Sequence, residues 1–175
     1  MILSDKDLIK LIKEGRLSIS SFDMNTILET GHIDLRLAPR LLKYKNNILD
    51  LKNNIVPPTD EIYLSESGYE LKSGEFLLGS TIESISMPDD HFGFIETKGD
   101  IARAGIQIHN TDGHIDPGFV GNITLEIKNN ANHSILIYSN LPFAVLYVFK
   151  LTSKQTKPYQ GKYQNQTGPT VYKKH

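Results

Sequence analysis

Residues 111–127 read Thr111-Asp112-Gly113-His114-Ile115-Asp116-Pro117-Gly118-Phe119-Val120-Gly121-Asn122-Ile123-Thr124-Leu125-Glu126-Ile127. They form a turn rich in glycine and proline, followed by a segment in which polar and apolar residues alternate. This alternation predicts a β-strand, because successive side chains of a strand point to opposite faces of the sheet. The apolar side chains of Ile123, Leu125 and Ile127 are expected on the buried face. Glu126 is then a carboxylate on the opposite face, just beyond a turn.

Taken alone, Glu126 is most simply interpreted as a solvated strand residue, because charged side chains are seldom fully buried. Three further blocks favour a different interpretation. Two of them are Met1-Ile2-Leu3-Ser4-Asp5-Lys6-Asp7 and Thr97-Lys98-Gly99-Asp100-Ile101-Ala102-Arg103. The third is Lys157-Pro158-Tyr159-Gln160-Gly161-Lys162-Tyr163-Gln164-Asn165-Gln166-Thr167-Gly168-Pro169. With these blocks in this order, the chain resembles the dCTP deaminase family of the trimeric dUTPase superfamily over nearly its whole length.

The resemblance implies an all-β fold with a short N-terminal helix, arranged as a distorted β-barrel or jelly roll of the dUTPase-like type. It also implies a homotrimer with three active sites at subunit boundaries, each closed by a C-terminal tail. The substrate would be a deoxynucleotide, with Mg²⁺ carried by its triphosphate.

Composition sets independent bounds. The 175 residues are 39% apolar, enough for one domain with a substantial core. The formal net charge is −1 with scattered charges, so no nucleic-acid partner is expected. The chain has no cysteine, which excludes the His/Cys/Cys zinc site of another class of cytosine deaminases. Any deamination is therefore expected to proceed without that zinc site, and no residue is predicted to ligate a metal.

No stretch has the length and apolar character of a signal sequence or a membrane span. We therefore expect a soluble cytoplasmic protein that does not contact a membrane.

Ser4 precedes an acidic first turn and an apolar stripe at helical spacing, and Gly15 follows, so a short amphipathic helix is predicted. Beyond it, alternating or apolar runs separated by turn residues predict strands. These runs are Ile33 to Leu42, Glu61 to Leu64, Phe76 to Met87, Phe92 to Thr97, Ile106 to Ile108, Asn122 to Lys128, Ile135 to Tyr138 and Phe143 to Leu151.

The segment 152–175 is polar and has no apolar periodicity, so in isolation it is typical of a disordered tail. It nevertheless carries Tyr159, Tyr163, Tyr172 and Lys162, residue types suited to a lid over an anionic, ring-bearing ligand. With the resemblance, we expect residues 1–151 to form the β domain and residues 152–175 to form its closing tail.

Hydrolytic deamination of cytosine requires a water activated at C4 and a group that moves protons to N3 and to the leaving amine. The resemblance assigns this role to Glu126. It places Arg103 where an arginine helps to order the water and the glutamate, although Arg103 also suits a structural role in a subunit contact. Asp116 would lie against the deoxyribose, and it equally suits an Asx turn before Pro117.

The resemblance also supplies a set of substrate-binding residues. Lys98, Tyr159, Lys162 and Gln166 match positions that face the phosphates or belong to the closing tail, although Lys98 alone would be interpreted as a surface lysine. The full predicted set is Lys98, Gly99, Asp100, Asp112, His114, Asp116, Phe119, Tyr159, Lys162 and Gln166.

The chain departs from the family at five of these positions, and at the first of them Lys98 stands where the family commonly has an arginine. Gly99 and Asp100 replace two serines, so a hydroxyl near the water is lost and a negative charge is added near the phosphates. Asp112 replaces a residue that is usually small. His114 stands where monofunctional deaminases have an arginine and bifunctional ones an aromatic residue.

Three functions follow as hypotheses. The first is deamination of a deoxycytidine nucleotide, dCTP to dUTP. The second is dUTP diphosphatase activity, alone or coupled to deamination. The third is a nucleotide-binding trimer without catalysis, for which Gly99 and Asp100 are the reason.

Overall fold

The computed structural model describes residues 1–22, 24, 31–45 and 47–174. Helix α1 spans Asp5–Lys13 and begins with a capping box, in which Ser4 Oγ accepts from the Asp7 N–H at 3.3 Å and the Asp7 carboxylate accepts from Ser4. Leu8 and Leu11 are its buried residues. The predicted amphipathic helix is confirmed, and within the described residues no helix has the length and apolar character needed to cross a membrane.

The rest of the described chain is mainly strand. The strands are β1 (Ser18–Ile19), β2 (Ile33–Arg36), β3 (Arg40–Tyr44), β4 (Thr59–Tyr63), β5 (Tyr69–Leu71), β6 (Phe76–Ser86), β7 (His91–Thr97), β8 (Ile106–Gln107), β9 (His114–Ile115), β10 (Val120–Asn129), β11 (Ile135–Ile137) and β12 (Pro142–Lys150). A second helix, α2 (Gly99–Arg103), connects β7 to β8. The prediction of a mainly β chain is therefore confirmed.

One predicted strand is wrong. The run Ile33 to Leu42 is divided into β2 and β3, and Pro39 lies in the gap between them. Proline has no N–H to donate to a sheet, so a continuous central strand is not possible there. The other predicted strands are confirmed, with bounds that differ by at most two residues at either end. The sequence pattern does not predict helix α2, because its 5 residues are too few to display a helical period.

The strands pair antiparallel in three sheets. The largest has the order β4-β3-β6-β10-β8, with β1 also paired to β6. The second has the order β2-β12-β7-β9, and β11 pairs with β5 in the third. The core is built of leucine and isoleucine side chains from these sheets and α1, with Phe143 the largest fully buried side chain.

The side chains of strand β10 point to the two faces of the sheet as predicted. Ile123 is 8% exposed, and Leu125 and Ile127 are fully buried, whereas Glu126 on the opposite face is partly exposed. On that second face Glu126 lies beside Leu78 of β6 in the strand register. The second face of β10 is thus available for a binding site.

The tail lies along this second face. Gly121 forms an isolated parallel bridge with Gln166. The Thr170 N–H donates to Thr124 Oγ1 at 3.2 Å, and the Tyr172 N–H donates to the Tyr44 hydroxyl at 2.9 Å. Residues 152–174 of the predicted tail are described, and His175 lies outside the described residues. Hydrogen bonds to strands β3 and β10 therefore hold a segment that has no apolar pattern of its own.

Candidate active site

A pocket of about 800 Å³ opens between strand β10 and the tail. This volume is within the usual range for a small-molecule site. Its charged lining residues are Asp112, Asp116, Glu126, Lys162 and Lys174, and His114 lines it as well. Phe119, Tyr159 and Gln166 also line it, so eight of the twelve predicted site residues share one pocket.

Glu126 is fixed at one of its carboxylate oxygens. Its Oε2 accepts a hydrogen bond of 2.7 Å from the Asn110 N–H, and its own N–H donates to the Ile108 carbonyl at 2.7 Å. The segment after β8 therefore holds both the backbone and the side chain of Glu126. Oε1 has no hydrogen-bond partner among the described residues, so it is the oxygen that can receive a proton from a water.

The turn after that segment carries Asp112 and His114 at the pocket mouth. Their side chains are 66% and 49% exposed, and the Nδ1 of His114 lies 2.5 Å from Oδ1 of Asp112. The imidazole stacks on Phe92 with the ring planes 4° apart and the centroids separated by 6.0 Å. Both the contact with Asp112 and the stacking on Phe92 restrict the orientation of His114.

The Asp116 turn joins the pocket to the tail. The Asp116 carbonyl accepts a hydrogen bond from the Phe119 N–H at 3.1 Å, and the Pro117 carbonyl accepts one from the Tyr159 N–H at 2.9 Å. The rings of Phe119 and Tyr159 pack at a centroid separation of 5.9 Å. This contact brings Tyr159 to the pocket wall beside Asp116.

Lys162 and Gln166 already have partners within the chain. Lys162 Nζ donates to the Lys173 carbonyl and lies 5.5 Å from the Tyr172 ring centroid. The Gln166 side chain donates to the Asn122 carbonyl at 2.6 Å and accepts from the Thr170 hydroxyl at 2.8 Å. In this arrangement Gln166 positions the tail, and a role in binding substrate would require it to exchange a partner.

Four predicted site residues lie outside the pocket. Lys98 pairs with Asp34 on β2, with Nζ 2.8 Å from Oδ2. Gly99, Asp100 and Arg103 belong to α2, and all three are exposed. Within the described part of one chain, the structure therefore does not bring these residues to Glu126.

Asp100 has a local structural explanation. It lies in the first turn of α2, where a negative charge interacts favourably with the helix dipole. Lys98, the residue preceding this helix, makes no side-chain capping bond. The acidic residue thus stabilises the start of the helix whatever it does toward a ligand.

Tyr44 is a pocket residue that sequence reasoning missed. Burial raises the pKa of its hydroxyl, and the Glu126 charge adds to this, whereas the hydrogen bond from the Tyr172 N–H lowers it. Tyr44 is the last residue of β3, about 80 residues before Glu126 in sequence. No local motif marks it, and the position follows only from the β3-β6-β10 order of the sheet.

We predict that Gly118→Ala detaches the tail from the Asp116 turn. Gly118 has φ +84°, and an added Cβ would lie 2.5 Å from the Pro158 Cβ. Gly74→Ala is the matched control, because Gly74 has φ +75° but nothing within 4 Å of an added Cβ. Each variant carries a backbone cost of about 1–3 kcal/mol. Chemical unfolding should show a larger loss for Gly118→Ala, and equal losses would contradict the tail contact.

Solved structures define the fold class first. The chain is similar to the 2'-deoxycytidine 5'-triphosphate deaminase of Agrobacterium tumefaciens, with a TM-score of 0.64 and 20% identity over 84% of this chain and 46% of that one. It is also similar to the dUTPase of Staphylococcus bacteriophage 80alpha, with a TM-score of 0.50 and 14% identity over 84% of this chain and 97% of that one. The predicted dUTPase-like fold is confirmed.

Sequence comparison then gives the family. The chain belongs to the dCTP deaminase-like family, whose model matches residues 2–151. It is 38% identical over 184 aligned positions to the dUMP-forming dCTP deaminase of Mycobacterium avium strain 104, covering 97% of this chain and 94% of that relative. The corresponding enzyme of Mycobacterium tuberculosis strain H37Rv has the same identity and coverage.

Proposed function

We propose that this protein deaminates dCTP, converting dCTP and water to dUTP and ammonia, with Glu126 as the catalytic residue. The observation that carries the proposal is a glutamate with one oxygen fixed by the Asn110 N–H and the other facing no partner among the described residues. This glutamate lies in a pocket large enough for a nucleotide. The relatives named as dCTP deaminases support the choice of substrate.

In the proposed reaction, Glu126 takes a proton from a water as the water oxygen attacks C4 of cytosine. The glutamate then passes that proton to N3, and a tetrahedral intermediate forms at C4. Glu126 then takes the proton of the new C4 hydroxyl and passes it to the amino group, so the C4–N bond breaks, the C4 carbonyl of uracil forms and ammonia leaves. One positioned carboxylate can perform all of these transfers in turn.

The dUMP-forming relatives favour a second step on the same nucleotide. In that step a second water attacks the α-phosphorus and pyrophosphate leaves, so dCTP and two waters give dUMP, ammonia and pyrophosphate. We propose that this chain also catalyses the second step. Incubation with each dNTP and dNMP, with and without Mg²⁺, and chromatography of the products would separate one activity from the other.

Mg²⁺ is proposed to enter with the triphosphate as part of the substrate. The pocket has three carboxylates, from Asp112, Asp116 and Glu126, against the cations of Lys162 and Lys174. A polyanion bound there would need its charge reduced by a metal or by cations from elsewhere. Within the described chain, moreover, no group of three or more histidine and acidic residues is placed to hold a metal ion.

Two cationic residues of the predicted site lie outside the pocket of their own chain, and this supports a trimer. Lys98 and Arg103 lie away from the pocket of their own chain, and Arg103 is exposed. We propose that a neighbouring subunit presents α2 and Lys98 to the pocket of Glu126. Light scattering should give a trimer at working concentration, and a monomer that still turns over nucleotide would contradict the shared site.

We predict that Gly99→Ser with Asp100→Ser raises the rate of dCTP deamination if this chain is a weakened form of the ordinary enzyme. A serine fits at position 99, because an added Cβ would lie 3.7 Å from Arg103 Nη1, an ordinary contact. Removing the Asp100 charge relieves repulsion of about 1 to 4 kcal/mol if it lies 4 Å from a phosphate charge. Steady-state kinetics of ammonia release would check the change.

Two other results would support a different function. If the double variant loses activity on some other nucleotide, Gly99 and Asp100 determine specificity for that nucleotide. If both wild type and variant bind nucleotide tightly and give no product over long incubation, the chain is a nucleotide-binding protein without catalysis.

A further inference from the structure

We propose that Tyr44 is a positioning residue of the candidate active site, whose hydroxyl draws the end of the tail across the sheet and keeps it off Glu126. This role rests on the proposed function, because Glu126 is the proposed catalytic residue. Tyr44 and Glu126 line the same pocket as the tail residues Thr170 and Tyr172. The path of the tail therefore sets how much of Glu126 a nucleotide can reach.

The tail first follows strand β10. The Gly168 N–H donates to Asn122 Oδ1, and the Thr170 N–H donates to Thr124 Oγ1, each at 3.2 Å. Every second tail residue therefore bonds every second residue of the strand, and the isolated parallel bridge before them has the same direction. A period of two on both sides is typical of an extended segment alongside a strand.

The next N–H of this series leaves the strand. On the same face of β10, the residue after Thr124 is Glu126, and its Oε1 has no hydrogen-bond partner among the described residues. A tail that continued along β10 would bring the Tyr172 N–H to this oxygen. The Tyr172 N–H donates instead to the Tyr44 hydroxyl on β3, at 2.9 Å. The tail therefore turns away from β10 at the level of Glu126.

The strand register shows how far the end of the tail is displaced. Glu126 pairs with Leu78 of β6, and Leu78 pairs with Leu42 of β3, so these three side chains share one face of the sheet. Tyr44 lies two residues beyond Leu42 and therefore points to the same face. Two strand spacings place β3 about 10 Å from β10. Leu78, on the strand between them, lines the pocket, so the displaced tail leaves open the space over Leu78 and Glu126.

Without the Tyr44 hydroxyl, the end of the tail has a different acceptor. The Tyr172 N–H would lose its partner on β3, and Glu126 Oε1 is the next acceptor in the series along β10. An N–H on this oxygen would compete with the water and the nucleotide for Glu126. The competition affects the nucleotide-free protein, whereas saturating nucleotide displaces the N–H. Tyr44 thus acts on the binding of nucleotide and not on the chemical step.

The first test measures ammonia release from dCTP by the full-length chain. Tyr44→Phe keeps the ring and removes the acceptor, so the KM for dCTP should rise about 2–10-fold, as expected for competition by one hydrogen bond, with kcat unchanged. Tyr63→Phe is the matched control, because Tyr63 is 66% exposed and lies outside the pocket lining, and it should keep both constants. Equal constants for the wild type and Tyr44→Phe would overturn the role of Tyr44.

A second substitution separates this role from a simple hold on the tail. Added to Tyr44→Phe, Tyr172→Pro should return the KM toward the wild-type value, because proline removes the competing N–H. Tyr172→Ala also removes the ring but keeps the N–H, so it should not restore the KM. Equal KM values for the two double variants would contradict the proposal and show only that Tyr44 holds the tail.

NMR of the nucleotide-free chain tests the role independently of deamination. In Tyr44→Phe, adding Glu126→Gln should shift the Tyr172 amide resonance, because the N–H then contacts residue 126. In the chain that keeps Tyr44, the same substitution should leave this resonance nearly unchanged. No shift in either background would overturn the proposal even if dCTP is deaminated. The expected shift, without ammonia from dCTP, would support the positioning of the tail and reject the deamination.

Discussion

Glu126→Gln is expected to lower dCTP deamination by about 10²–10⁴-fold, the range found when a general acid–base group is removed. Glutamine keeps the shape of the side chain and an oxygen that can accept from the Asn110 N–H, which Oε2 of Glu126 does at 2.7 Å. It removes the carboxylate that is proposed to take the proton from the water. The binding of dCTP, measured by calorimetry, should change far less than the rate of ammonia release.

Glu70→Gln is a suitable control for this experiment. Glu70 is an exposed strand residue on β5 that does not line the pocket among the described residues. Its substitution should leave both rate and binding unchanged. If Glu126→Gln also leaves the rate of every detected reaction unchanged, Glu126 is an ordinary strand residue on a polar face.

Ending the chain at Gln155 is expected to weaken dCTP binding by about 10²–10⁴-fold. The truncation removes Lys162 and Lys174 from the pocket, and each hydrogen bond to a charged group contributes about 1.5–3 kcal/mol. Two such losses correspond to about that change in the dissociation constant. The truncated chain should still fold, because the buried apolar side chains of the core lie between Leu8 and Val148.

Binding to the truncated chain is best measured in the Glu126→Gln background, so that turnover does not consume dCTP. Lys162→Ala should reproduce part of the loss, whereas Lys157→Ala, at an exposed position outside the pocket lining, should have little effect. Unchanged affinity after truncation would mean that the tail does not close the site.

Much of the fold was predictable from local patterns. The alternation from Asn122 to Lys128 gave both the strand and its facing, because a period of two survives whatever the tertiary context. Ser4 and Asp7 gave the start of α1 through the capping chemistry of a helix. The sequence also contains the reason for the break between β2 and β3, because Pro39 has no N–H to donate to a sheet. The apolar character of Ile33 to Leu42 nevertheless favours one continuous strand.

The site was only partly predictable. Residues close in sequence to the turn, such as Asp112 and Asp116, line the same pocket as Glu126, because the turn and β10 are one continuous unit. Tyr44 was missed because its position depends on the pairing of β3 with β6. The order of the tail also depends on partners distant in sequence, since its hydrogen bonds run to Asn122, Thr124 and Tyr44.

The positions of Arg103 and Lys98 relative to Glu126 could not be predicted from local patterns either. Their side chains were grouped with Glu126 by resemblance, whereas the chain itself places them on α2 and beside Asp34. No periodicity within one sequence reports which surfaces meet between subunits. Their role in the site therefore depends on assembly, which light scattering and kinetics can examine together.

The pocket of Glu126 is proposed to deaminate dCTP. The most direct measurement is the amount of ammonia released from dCTP and Mg²⁺ by the purified full-length chain, compared with the Glu126→Gln variant under the same conditions. We expect one ammonia for each dCTP consumed by the wild type, with a uracil nucleotide as product, and almost none from the variant. Consumption of dCTP without ammonia, or equal ammonia from both proteins, would contradict it.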